Sequence, residues 1–237
     1  MASRNASFHE DGIAGALLAP LKLVFALALT FVGITLVAWI VDWTFVFKVW
    51  PDGIDRLKTI LAADLARALD LAERQAGVPS AITGTANSLY ALVFRLTGIH
   101  DMGMRFAEGA ALSIPDTIVR NTYLRNSEAI EVAMIGTQLL GVRLATLAMM
   151  APILALIYVI SAADGLMQRA IRRACGGRES ASLYHRGKHL QLVLLATSGV
   201  VSLLVPMSLD PRLIWLPAAA TVAMLARIQW AYYKKHL

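Results

Sequence analysis

Cysteine is almost absent: the 237 residues contain one, Cys175, so no intrachain disulfide framework exists. Charge is scarce as well. Charged residues make up 16% of the chain and hydrophobic ones 57%, against about 25% and roughly 45–50% in soluble domains. That balance excludes a disordered chain and argues against an ordinary soluble enzyme. The five histidines, His9, His100, His185, His189 and His236, all lie outside the long apolar runs. An intramembrane nucleophile would therefore have no histidine base. Neither a phosphate-binding Gly-x-x-x-x-Gly-Lys-Ser/Thr loop nor a His-Glu-x-x-His zinc helix occurs. The expectation is a non-enzyme with no catalytic, cofactor-binding or metal-binding residue, and Cys175 reads as a small residue at a helix end.

What the chain has in abundance is long apolar segments. A hydrocarbon core of roughly 30 Å needs about 20 apolar helical residues. Residues 23–41 meet this without an ionisable side chain, and Trp39 and Trp43 stand at the far end, where indoles suit the interface. The run is too long for a signal peptide and offers no Ala-x-Ala-like site, so an uncleaved anchor is expected. Residues 144–163 form a second span, with Arg143 at its outer rim and Pro152 inside as an expected kink. Residues 190–209 form a third, its last turn loosened by Pro206, and residues 213–233 a fourth, with Arg227 snorkelling towards Lys234 and Lys235. A surface-lying amphipathic helix is the competing reading of the fourth. Ser198-x-x-x-Ser202 and Ala219-x-x-x-Ala223 are the small-residue pairs expected at helix contacts.

Counting Lys and Arg by side gives the orientation. Residues 1–22, the connection 164–189 and the end of the chain, including the tail 234–237, hold eleven basic residues on one face. Against them stand Arg212 alone in the short hairpin opposite and Arg143 at the outer rim. The positive-inside rule then places both termini in the cytoplasm and residues 42–143 outside, in the periplasm of a Gram-negative cell. Nine basic and eleven acidic residues in 42–138 fit a translocated region. Here Ile54–Gln75 reads as a helix with Leu57, Leu61, Leu65, Ala68 and Ala72 on one stripe, ended by Gly77-Val78-Pro79. Ser80–Ser88 reads as a loop. Leu89–Leu96 is too short to cross a bilayer and is expected to pack on that helix or lie at the membrane surface. A further helix from Pro115-Asp116 is expected to run straight into the second span. The fold class is all-α: a polytopic membrane protein of four transmembrane helices with a small helical periplasmic cap.

The connection 164–189 holds six basic residues against Asp164 and Glu179. Arg169, Arg172 and Arg173 continue the second span, Gly176-Gly177 stops it, and a helix resumes towards the third. The result is a basic cytoplasmic hairpin. Its charge serves topology in the first place, and anionic lipid rewards each cation at the surface by roughly 1 kcal/mol. Docking of a protein is the next reading, and direct DNA contact the least favoured. Docking would rest on Arg172, Arg173, Arg178 and Glu179, through charge-assisted hydrogen bonds, with Tyr184 and His185 facing a partner or the interface.

The residues Asp164-Gly-Leu, Arg172-Arg173, Gly176-Gly177-Arg178-Glu179-Ser180 and Tyr184-His185 resemble the inner-membrane proteins of integrating conjugative elements, encoded near the conjugative coupling ATPase. Trp50 and Thr97-Gly98-Ile99-His100 match weaker features of that family, and Cys175 stands where an aromatic residue is expected. The resemblance implies conjugative DNA transfer through a type IV secretion-like apparatus and supplies no catalytic residue. The expected partners are membrane lipids, the coupling ATPase and other transfer proteins, with an oligomer left open. A small transporter or channel is the alternative function, and an exclusion-like membrane protein acting between donor cells is a third.

Overall fold

The computed structural model describes residues 3–73, 77–107, 114–176 and 181–233, with side chains from residue 19 onward except those of 107, 114–116 and 181. The described residues are helical and contain no strand. In chain order the helices are α1 (Ser3–Thr44), α2 (Gly53–Ala72), α3 (Val78–Tyr90), α4 (Ile99–Ala107), α5 (Ile114–Arg125), α6 (Ser127–Ala174), α7 (Ala181–Leu204) and α8 (Pro211–Ala231). Single π-helical turns, Phe45–Val49 and Ala91–Arg95, extend α1 and α3. Four stretches are long and apolar enough to cross a membrane: 19–49 and the helices α6, α7 and α8.

α6 is the axis. Its 48 residues span about 72 Å at 1.5 Å per residue, more than twice a hydrocarbon core. Val132 to Thr146 is buried on nearly every side, because α1, α2 and α3 all pack against this first third. α1 contributes Thr35, Ala38 and Asp42, one helical face, while every side chain from Ala19 to Thr30 is exposed. Gly141 lets α3 approach: a Cβ there would lie 2.6 Å from the Ala86 Cα. Two apolar clusters result. One joins Ala68, Ala72, Ile82, Ala86, Val142 and Ala145; the other joins Val46, Leu57, Ile60, Val132 and Leu139.

α8 lies against both α6 and α7. Its buried seam is Trp215, Ala218, Val222, Ala226 and Gln229, one residue away from the expected Ala219 and Ala223, which are half-buried. On α7, Gly187, Gln191 and Ser198 are buried, so the serine of the expected pair does lie in the seam. Glycines set the spacing. A Cβ on Gly165 would lie 2.5 Å from the Arg227 carbonyl oxygen, and one on Gly187 3.3 Å from the Gln229 Cβ.

The structure corrects several expectations. Ser80–Ser88 is helix, not loop. Gly77, at φ +82°, terminates the preceding chain direction, Pro79 opens α3, and the Ser80, Thr83 and Thr85 hydroxyls donate to carbonyls of the turn before. The α2 stripe is rotated: Ile60 and Asp64 are buried, and Leu61 and Leu65 are only partly so. Leu89–Leu96 packs through Phe94 against Trp39 of α1. α5 does not continue into α6; Asn126, at φ −110° and ψ 13°, breaks the path, and its side chain donates to the Thr122 carbonyl at 2.8 Å. α6 carries Pro152 within its length, as the sequence reading expects. α7 ends at Leu204 rather than at 209, since Pro206 has no N–H with which to continue it. Arg227 pairs with Asp164 of α6 at 2.6 Å, and Lys234 and Lys235, towards which it is expected to snorkel, lie outside the described residues.

Candidate functional sites at the two ends of the bundle

The early end of α7 leaves a problem of backbone chemistry. The last carbonyls of a helix lack intrahelical donors, and unsatisfied carbonyls in an apolar setting are costly. Arg143 solves it. Its guanidinium donates from Nη1 to the carbonyls of Leu203 (3.1 Å) and Val205 (2.8 Å), and from Nη2 to that of Met207 (3.0 Å). Its Nε donates to Asp64 Oδ2 at 2.9 Å. Ser208 donates to the other carboxylate oxygen of Asp64, and Arg67 donates to Ser208. Arg143 and Asp64 are both buried.

The sequence places Arg143 at the outer rim of a span. It is instead the centre of a clasp joining α2, α6 and the α7–α8 connection. Beside the clasp lies a cavity of about 30 Å³, bordered also by Thr146 and Ser202, the share of one water molecule. Asp42 is buried nearby, within electrostatic reach of Arg143 and against Gly136, where a Cβ would collide with its carboxylate. Two exposed ion pairs tie the same region on its outside: Arg212 to Asp70 at 3.0 Å and Lys58 to Glu131 at 2.8 Å. The Glu131 carboxylate, through its hydrogen bond and then its charge, raises the Lys58 pKa.

A second group forms around the Thr97-Gly98-Ile99-His100 run. Gly98, at φ +74°, turns the chain into α4. His100 is thereby placed with Nδ1 2.7 Å from the Tyr90 hydroxyl. Burial raises the pKa of that phenol. Rings continue from Tyr90 to Phe94, Trp39 and Trp43. Both indole N–H groups are engaged, Trp39 with the Thr137 hydroxyl and Trp43 with the Ala129 carbonyl. Trp50 stacks on Phe45 and lies beneath Arg56.

At the other end, the two arms of the basic hairpin are bridged by the C-terminus of α8. Arg172 lies 3.9 Å over the Tyr232 ring and donates to the Ala231 carbonyl at 3.3 Å, placing a cation at the negative end of that helix. Arg169 lies over Tyr233, which also meets Tyr184 from α7 and Trp230 from α8. Trp230 donates from Nε1 to the Tyr158 hydroxyl at 3.0 Å. Tyr184 and Arg172 are half-buried in this aromatic set, whereas Arg173 and His185 are exposed, His185 edge-on to Tyr184. The structure thus brings Arg172 and Tyr184 to one cluster through α8. Arg178 and Glu179 lie outside the described residues.

Among the described residues, no three His, Cys, Asp or Glu side chains are grouped to hold a metal ion, and Cys175 is exposed. The Arg143 clasp was missed by sequence reasoning because its acceptors are main-chain oxygens. The available signal was Asp64, a carboxylate seven residues from Leu57 on the apolar stripe of α2.

No curated protein and no solved structure matches the chain. A family model does, over residues 59–234, from α2 through α8 with α1 outside the match. Its description is an IncC plasmid conjugative DNA transfer protein, DtrJ-like. The match spans most of the chain, including both ends of the bundle. This protein belongs to the DtrJ-like family of conjugative DNA transfer proteins.

Proposed function

We propose that the chain is a non-enzymatic inner-membrane scaffold of a conjugative, type IV secretion-like apparatus, with both termini and the hairpin in the cytoplasm and α2–α5 in the periplasm. The observation that carries this reading is the continuity of α6. One helix starts beside α2 and α3, runs through a stretch long and apolar enough to cross a membrane, and ends as a basic arm, so the two proposed surfaces would belong to one continuous element. The family matched here is described from a plasmid and the sequence resemblance concerns integrating elements; both are conjugative, and the same scaffold role serves either.

The inner surface would dock a partner such as the coupling ATPase. Arg173, Arg178, Glu179 and His185 would make the contacts, while Arg172 and Tyr184, packed on α8, hold the arms at their spacing. Co-purification in mild detergent tests this with Arg173→Glu, Arg178→Glu and Glu179→Lys combined. Loss of partner recovery together with a fall in transfer frequency is expected. Unchanged recovery and transfer would remove the docking role.

A small transporter or channel is the second reading, favoured by the buried Asp42, Asp64 and Arg143. It predicts solute or ion flux in proteoliposomes, which the scaffold does not. Against it, the Arg143 guanidinium is occupied by three carbonyls and a carboxylate. An exclusion-like role between donor cells would place the working surface outside, and exchange of residues 42–138 between relatives would reveal it.

A further inference from the structure

Where α1 and α6 meet the outer helices, a cavity of about 590 Å³ opens between Trp39 and Trp43, Phe94, Met102 of α4, and the Val119 and Tyr123 face of α5. Its volume is that of a small-molecule site, and its lining is almost wholly apolar. Most of the polar groups along it, the Tyr123 hydroxyl aside, are engaged within the protein. Both indole N–H groups are bonded within the protein, the Thr122 hydroxyl donates to Ile118, and the Asn126 amide donates to Thr122.

α5 presents Ile118, Val119, Thr122, Tyr123 and Asn126 to this space. At 100° per residue, Arg120 and Arg125 then fall on the two flanks of that face. Arg125 is exposed, and the enclosed Nε of Arg120 has no hydrogen-bond partner. Ile118 and Val119 remain 65% and 46% exposed at the mouth. The two tryptophans sit at the end of the apolar part of α1, the level at which indoles meet lipid headgroups. An apolar chamber at that depth, with two arginines at the flanking positions of α5, complements an amphiphile with a hydrocarbon chain and an anionic head.

We propose that this cavity holds an acyl chain of a phospholipid from the leaflet on the α2–α5 side, with Arg120 and Arg125 facing its phosphate. The site rests on the membrane reading given above. The lipid would fill the space between α1 and the α4–α5 pair, so that the outer helices complete their packing only in a bilayer.

The test is photo-crosslinking from a benzophenone side chain at Val119 in the full chain, in cell membranes, with adducts identified by mass. A second probe at Leu213, 72% exposed on α8, reports ordinary boundary lipid and hence membrane embedding. Phospholipid adducts at 119 exceeding those at 213 several-fold, and abolished by Ala129→Trp, are expected. Replacing Arg120 and Arg125 by Gln should reduce them while leaving the 213 signal unchanged. Lipid adducts at 119 no higher than at 213, or insensitive to Ala129→Trp, would overturn the site. So would a protein adduct at 119, which would make a partner segment the occupant. An absence of lipid adducts at 213 would instead strike at the membrane reading, and the lipid site would fall with it.

Discussion

Arg143 concentrates more of the molecule's connectivity than any other residue described. Removing one partner of a buried charge pair costs about 3–5 kcal/mol, because the other is left uncompensated. Arg143→Ala removes the charge partner of Asp64 and the donor to three carbonyls, so the free energy of unfolding in detergent should fall by an amount in that range. Arg143→Lys should recover little, since an ammonium cannot reproduce the planar fork that meets both the Asp64 carboxylate and the α7 end. A thermal melt of the purified chain checks both variants. Asp64→Ala combined with Arg143→Ala should cost clearly less than the sum of the single losses, as expected for residues in one network.

The reason this residue escaped sequence reading is physical. Its partners lie 60 to 79 positions away and three of them are backbone oxygens, which carry no side-chain signature. Arg172 was legible as a helix-terminal cation, but not as the cap of α8, because the Tyr232 beneath it arrives from the far end of the chain.

At the scale of elements, spacing between helices is set by glycine. Gly165 admits the backbone of α8, and Gly165→Leu must force α6 and α8 apart. Overpacking of this kind costs about 1–3 kcal/mol. The predicted outcome is a lower melting temperature and a loosened hairpin, read as faster proteolysis between α6 and α7. Gly187→Ala, whose nearest contact would be a side-chain carbon at 3.3 Å, should be much milder.

The long apolar runs were readable in the sequence because hydropathy over twenty residues overwhelms local detail. α3 was not. Its Ser, Thr, Ala and Gly content resembles a loop, but small side chains and hydroxyls that bond back to the preceding turn suit a helix pressed against α6. The end of α7 was placed five residues late because hydropathy continues past Pro206, whereas the hydrogen-bond ladder cannot.

For the whole molecule, the lone cysteine offers a natural test of orientation. Cys175 is exposed at the inner end of α6. In spheroplasts, a membrane-impermeant maleimide should leave it unlabelled until the membrane is permeabilised. Labelling of intact spheroplasts would reverse the assignment of the two faces and move the basic hairpin outside.

An uninterrupted α6 also behaves as a lever. A rod about 72 Å long that tilts by roughly 5° about its middle moves each tip by about 3 Å, in opposite directions. α2 is clasped to one half of this rod through the Arg143–Asp64 pair, and the other half carries the arginine-bearing arm. On the proposed topology, a push on α2 would reach the arginine-bearing arm as a swing, with no diffusing messenger in between.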